Sequence, residues 1–483
     1  MEAIMYNNKS LQRKKPEELG ISSEVLLAFI DALGEKKLEL HSFMLLRHSC
    51  VAAEGWWSPY EPDRPHMLFS LSKSFTSSAI GLCVHEGRLS VDDYVLSFFP
   101  DMLPENPDIN LKNMRIRHLL SMSTGHAEDT AGHMTERKDG NWVKGFLDLK
   151  VDYQPGTHFV YNSGATYMLS AIVTKVTRQK LVEYLIPRLF EKLDIGNASW
   201  EVCPMGINTG GWGLSIKTED IAKFGQMYLQ KGIWNSERIL QEKWVDEATS
   251  FHIKNGEDKN SDWAQGYGYQ FWRCRHNAYR GDGAFGQYCI VMPEQDAVIA
   301  ITSGLSDMQA VLNLIWEHLL PAMKDMPLPR NEESEATLDQ RLLALKYLPE
   351  MIQSSSPRLA GITGKRYIFE ENESKITAIY FNFNDNGCEI EIFVQGEKRF
   401  IRCGHSQWIL GETSLTGKLL PVAASCTWKD ENTLIVTFRF YETPFYQTEI
   451  CTFTEDDLII KSNINVSFGS TELPILRGKM LSA

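Results

Sequence analysis

A change of hydrophobic period partway along the chain limits its folding more than any other feature. Between residues 70 and 250 apolar residues recur at helical spacing, as in Leu71, Phe75, Ile80, Leu82 and Val84. From 360 to 483 they alternate in short runs: 365–370, 376–382, 389–394, 433–440, 448–453 and 458–461. A stripe of period 3.6 and a face of period 2 cannot share one layer, so the chain must build two cores. The break falls at Asp325-Met-Pro-Leu-Pro-Arg-Asn-Glu-Glu-Ser334. Two prolines that cannot donate ladder hydrogen bonds, and three acids that repel, predict an extended, exposed linker. The expected domains are 1–325, with a helical insertion over about 90–255, then 326–357 as linker and short helix, and 358–483 as an all-β barrel-like domain.

Strand signals frame the helical region. His41-Ser-Phe-Met-Leu-Leu-Arg47 and Val51-Ala-Ala-Glu-Gly-Trp-Trp57 predict a hairpin after a helix over 22–33. The runs 267–272, 286–292 and 297–302 predict strands before a helix over 306–323. Strands at both ends imply one sheet assembled from distant segments, flanked by helices, with an all-helical insertion. The fold class is therefore α/β in the broad sense, more narrowly α+β, with a second, all-β unit.

Composition excludes several functions. The net charge of −13, from 49 basic and 62 acidic residues, repels phosphate backbones, so no nucleic-acid partner is expected. No apolar run approaches the roughly 20 residues of a membrane span. The first nine residues carry no apolar stretch of signal-peptide length, and the nine cysteines form no Cys-x-x-Cys. These features fit a cytoplasmic protein with reduced thiols. The 12 histidines form no His-Glu-x-x-His, so neither metal nor cofactor is expected; His118, His126 and His158 are read as structural. The sequence leaves the oligomeric state open.

Three segments can carry chemistry. Ser70-x-x-Lys73 is the only Ser-x-x-Lys in the sequence and opens a helix. A spacing of three places the hydroxyl and amine on one face. The amine can act as the base a serine nucleophile needs if its pKa falls from ~10.4 towards 7, a shift worth roughly 4 kcal/mol. A helix cap followed by an exposed lysine would have the same sequence. In Pro155-Gly-Thr-His-Phe-Val-Tyr161-Asn162-Ser163-Gly164, a turn presents Tyr161 as a proton relay or a core anchor, and Asn162 or Ser163 can cap the next helix. In Gly281-Asp282-Gly283-Ala284, glycines at a strand edge allow close approach, and a backbone N–H there can face an oxyanion; a hairpin turn is the plainer alternative. Trp142 is a candidate pocket wall or a core aromatic.

The order of these segments resembles the serine β-lactamase and penicillin-binding-protein-like hydrolases, most of all the class C-like branch of esterases and D-aminopeptidases. Gly87-Arg-Leu-Ser-Val-Asp-Asp93, the stretch 116–125, Gly210-Gly-Trp-Gly-Leu214 and the stretch 218–225 add to the likeness, which spans about 15–322. The resemblance implies Ser70 as nucleophile, Lys73 as its base, Tyr161 as relay, and the Ser70 and Ala284 amides as oxyanion donors. It also implies an antiparallel sheet in the first domain and a lipocalin-like character for the terminal β domain. The sequence departs from the family where Ser163 replaces the Asn of Tyr-x-Asn, leaving Asn162 or Ser163 to hold Lys73 or the substrate. It departs again at 281–283, where the basic residue of the family's strand motif is missing. Asp282 would there repel a substrate carboxylate, so the expected substrates are small esters or amides rather than penicillins. β-Lactam or D-amino-acid peptide hydrolysis is the alternative, and a catalytically weak binding protein is the reading from another class. A ligand-binding barrel ranks lower, because the β domain shows no clustered polar site in sequence.

Overall fold

The computed structural model describes residues 11–481. The stretch 1–9, considered above for an export signal, lies outside the described residues. By internal packing the described chain forms two units, one of residues 11–55, 62–303 and 307–344, the other of residues 56–61, 304–306 and 345–481.

In the first unit β1 (Gln12–Arg13) precedes α1 (Ser23–Glu35), whose cap Ser22 accepts from the Glu24 N–H. The expected hairpin is β2 (Leu40–Arg47) and β3 (Cys50–Trp56). Helix α2 (Ser72–His85) follows a 3₁₀ turn over Phe69–Leu71, and α3 (Ser163–Thr177) and α4 (Thr218–Leu229) lie in the insertion. Then come β4 (Trp272–Arg273), β5 (Tyr279–Gly283), β6 (Gln287–Met292) and β7 (Ala297–Ser303). These strands form one sheet in the order β1-β3-β2-β7-β6-β5-β4, and Met44 of β2 pairs with Ala300 of β7. The two ends of the unit therefore meet in one sheet, as the sequence implies.

Three local expectations need correction. The sheet is mixed, because β1 runs parallel to β3. The insertion is not all helical: Ser199–Trp200 and Leu214–Ile216 join His66–Met67 in a small sheet, and Ile233–Trp234 pairs with Glu237–Arg238. The linker's last residues, expected to be extended, begin the helix Glu332–Leu343, because Asn331 accepts from the Ser334 N–H as a cap.

Helix α2 is buried on every side from Ser72 to Cys83, more deeply than its amphipathic pattern suggests. Four of its five hydroxyls avoid the cost of burial by finding partners, Ser77 being the exception. Ser74 Oγ donates to Gln270 O at 2.8 Å, Thr76 Oγ1 to Gly210 O at 2.8 Å, and Ser78 Oγ pairs with the Tyr228 hydroxyl at 2.8 Å. Phe75 stacks on Phe224 of α4 with ring centres 3.9 Å apart. The turn that carries Ser70 is thus continuous with a deeply buried helix.

The second unit contains ten strands: β8 (Arg366–Phe369), β9 (Ile376–Asn384), β10 (Gly387–Val394), β11 (Glu397–His405), β12 (Ile409–Thr413), β13 (Leu420–Trp428), β14 (Thr433–Arg439), β15 (Tyr446–Phe453), β16 (Asp457–Ile464) and β17 (Leu476–Met480). They run in the order β11-β10-β9-β8-β17-β16-β15-β14-β13-β12. Parallel pairing of Gly404 with Ser425 and of His405 with Cys426 joins β11 to β13 and closes nine of them into a barrel. Inward residues such as Tyr367, Phe381, Trp428, Val436 and Phe453 fill much of its interior. All nine cysteines are buried free thiols, and among the described residues no helix is long and apolar enough to cross a membrane.

Candidate active site

Ser70 lies on the 3₁₀ turn that leads into α2, and Lys73 one turn along on the helix itself. The preceding residue, Phe69, has φ 49°. A non-glycine residue in that region stores strain that the surrounding packing must hold. The Phe69 ring meets that of Phe285, which has φ 65°, edge to face at 5.4 Å. The two strained turns therefore brace each other.

The amine of Lys73 donates to Ser70 Oγ at 2.8 Å and to the Gly211 carbonyl at 2.8 Å, and lies 3.3 Å from Ser163 Oγ. It sits 4.7 Å from the centre of the Tyr161 ring. Its side chain is buried, and burial lowers its pKa from 10.5 to about 7 against the pull of Asp129 and Asp282. At neutral pH a large share of this amine is therefore unprotonated and able to accept a proton.

Ser70 is among the side chains near enough to act on the Tyr161 phenol. Its ring stacks on Trp272 at 5.2 Å and meets Tyr267 edge to face at 6.2 Å. Burial pushes the phenol well above its ordinary value, so it stays protonated. The geometry distinguishes Asn162 from Ser163. Asn162 Oδ1 accepts from Thr130 Oγ1 at 2.8 Å, Thr130 N at 3.2 Å and Ala165 N at 3.1 Å, capping α3 and tying down the 130 loop. Ser163 is the residue whose hydroxyl faces Lys73.

Strand β5 presses against the Ser70 turn. A Cβ on Gly283 would lie 2.0 Å from Leu68 O and 3.1 Å from Ser70 N, and one on Gly281 would lie 2.5 Å from Ser74 Oγ. Only glycine allows this approach, which brings Gly283, the neighbour of Ala284, beside the Ser70 amide. Neither the Ser70 nor the Ala284 N–H donates to a backbone acceptor among the described residues. Asp282 and Arg280 share the other face of β5, and here the expectation of a bare repelling carboxylate is corrected. The Arg280 guanidinium, fully buried, meets Asp282 Oδ2 through Nε at 2.9 Å and Nη2 at 2.8 Å, and Nη1 donates to Asp262 O at 2.7 Å. Burial still pushes the Asp282 carboxyl above its usual range, while Arg280 offsets its charge. Trp142 begins the helix Trp142–Leu147 and packs on Tyr167 at 5.3 Å and on Trp212, next to Gly211, at 5.9 Å.

The sequence reading missed Gly211, Arg280, Trp272 and Asp129. A carbonyl acceptor such as Gly211 O leaves no residue-type signal. Arg280 was legible, because strand alternation puts residues 280 and 282 on one face. Asp129 Oδ1 accepts from the N–H groups of Ser163 at 2.9 Å and Ala131 at 3.0 Å, placing a carboxylate at the start of α3. His118 and His126 are held neutral, each lowered by burial to about 4, with Arg115 N donating to His118 Nδ1. Among the described residues no group of three or more His, Cys, Asp or Glu is placed to hold a metal ion.

The model of the family described as Beta-lactamase matches residues 31–314, and the chain belongs to this family of serine β-lactamases and penicillin-binding-protein-like hydrolases. It is 28% identical over 296 residues to the 6-aminohexanoate-dimer hydrolase of Paenarthrobacter ureafaciens, covering 56% of this chain and 75% of that one. It is 25% identical over 172 residues to the lovastatin esterase of Penicillium rubens, covering 30% and 42%. Among solved structures, the octameric penicillin-binding protein homologue of Pyrococcus abyssi superposes with a TM-score of 0.50 at 16% identity, over 94% of this chain and 99% of that one. A penicillin-binding protein homologue of Caulobacter crescentus gives 0.50 at 15% identity, over 63% and 97%. These two likenesses concern the fold alone.

Proposed function

We propose that this protein is a serine hydrolase that cleaves small esters or amides through an acyl-enzyme on Ser70. The observation that carries this reading is the Lys73 amine, 2.8 Å from Ser70 Oγ in a site that brings its pKa to about 7. Neutral Lys73 takes the proton of Ser70 Oγ as the oxygen attacks the acyl carbon. The Ser70 and Ala284 N–H groups receive the oxyanion, each donor worth roughly 10²–10³-fold in rate. Tyr161, protonated and beside Ser70 and Lys73, passes a proton to the leaving alcohol or amine while Lys73 restores it, help worth about 10²–10⁴-fold. Water then attacks the acyl group with Lys73 again as base, and the acid leaves.

The substrate preference follows from charge. Arg280 is paired with Asp282, and Asp129 and Asp282 both act on Lys73, so a substrate carboxylate would meet two acids and an arginine already engaged. Esters and uncharged amides fit this better than penicillins. The relatives' names, a dimer hydrolase and an esterase, support both bond types.

Intact mass after incubation with short-chain nitrophenyl esters, simple amides and a penicillin tests the proposal. The expected result is an acyl adduct on the peptide containing Ser70, with ester turnover faster than penicillin turnover and none in Ser70→Ala. Ester turnover surviving in Ser70→Ala would end the assignment. Absence of any adduct and turnover would favour a binding protein on this scaffold.

A further inference from the structure

The barrel of the second unit is not filled. It encloses a cavity of about 240 Å³ whose walls include Ile379, Phe381, Ile390, Ile401, Val436 and Phe438. The same cavity is lined by Gln447 and Glu449 of β15. Glu449 stands directly opposite Ser462 of β16 in the strand register, and the Ser462 hydroxyl bonds to Glu449 Oε2. Gln447, two residues along and so on the same inward face, donates to Glu449 Oε1 at 2.6 Å. This is the clustered polar site that the sequence reading did not find, because its members come from two strands.

The chemistry of the cluster is lopsided. A carboxyl group faces an apolar cavity with two neutral partners, and no cation is among the groups that act on it. Burial pushes it up to about 7, partly opposed by Ser462 and Gln447. A lone carboxyl in such surroundings costs stability unless something supplies the missing counter-charge or donor. The cavity supplies room for it. At roughly 30 Å³ per non-hydrogen atom, the volume of a liquid water, it holds about eight such atoms.

We propose that the barrel binds a slender apolar molecule with a single amine head, its tail among the aliphatic and aromatic walls and its ammonium group on Glu449. An alkyl carboxylate would place like charges together and is disfavoured by the same geometry. This inference is independent of the reaction at Ser70.

Calorimetric titration of the full chain with n-heptylamine, n-heptanol and sodium heptanoate at pH 7.5 tests it. The amine should bind at least about tenfold more tightly than the alcohol, the increment of a charge-assisted hydrogen bond, and the heptanoate most weakly. Glu449→Gln should bring the amine down to the level of the alcohol while alcohol binding persists. Ile392→Trp, which fills the cavity from a half-buried lining position, should weaken amine and alcohol alike. The inference is overturned if no probe binds, if heptanoate binds best, or if the amine preference survives Glu449→Gln. Should Glu449→Gln fail to fold, the ranking of the three probes and its loss in Ile392→Trp decide the matter.

Discussion

Replacing Lys73 with methionine should stabilise the protein while destroying its activity. Lys73 is 1% exposed, and its pKa falls from 10.5 to about 7 on burial. Between those values the unfolded chain holds a proton that the folded chain has lost. Folding is therefore penalised, fully below pH 7 and progressively less as pH rises towards 10.5. Integrating that difference gives a penalty of roughly 5 kcal/mol at pH 6 that shrinks to about 1 kcal/mol by pH 10. Methionine fills a similar volume without a charge. Its gain is reduced by the Gly211 carbonyl left without its donor, a cost of about 1–3 kcal/mol. The net expectation for Lys73→Met at pH 6 is about 2–4 kcal/mol of added stability, and at pH 10 none or a small loss. Urea unfolding of both proteins from pH 6 to pH 10 measures this. A difference that does not change with pH would mean that Lys73 keeps its ordinary pKa in the folded protein, and the mechanism built on its neutrality would fall.

Other variants probe the remaining parts of the site. Tyr161→Phe should keep the fold and lower kcat by about 10²–10⁴-fold, measured on a nitrophenyl ester. Gly283→Ala should lower kcat by roughly 10²–10³-fold, because its Cβ would sit 2.0 Å from Leu68 O and push the Ala284 amide away. Arg280→Met should cost about 3–5 kcal/mol in urea unfolding by leaving Asp282 buried and unpaired. Asn162→Ala should lower stability by about 1–2 kcal/mol without removing the reactivity of Ser70, since Asn162 caps α3 and does not touch the amine.

Much of this arrangement could be read from the sequence where local pattern decides structure. The helix that starts at Ser22 or Ser23, the hairpin at 40–56 and six of the barrel's strands all follow from short-range signals. Strand β5 was harder, because Tyr279-Arg-Gly-Asp-Gly283 has two glycines that suggest a turn; they are required by the Ser70 turn packed against them, a tertiary cause. β11 was missed because it opens with Glu397-Lys-Arg399 and carries a further charge at Arg402, so that only Ile401 and Cys403 mark the buried face. β13 was missed because Ala423, Ala424 and Ser425 carry little β signal. Within the site, Ser70 and Lys73 were legible from their spacing. The choice between Asn162 and Ser163 was not, since both residue types cap helices and only the path of the chain decides which hydroxyl or amide reaches Lys73.

The claim on which the account rests is that Ser70 reacts because a neighbouring amine is neutral. Its most direct measurement is the rate at which a fluorophosphonate labels Ser70 across pH 5–9. The account predicts a rate that rises about tenfold per pH unit in the acid range and levels off near pH 7, where Lys73 has given up its proton. Labelling that is absent, or that continues to rise to pH 9 as for an ordinary lysine, would contradict it.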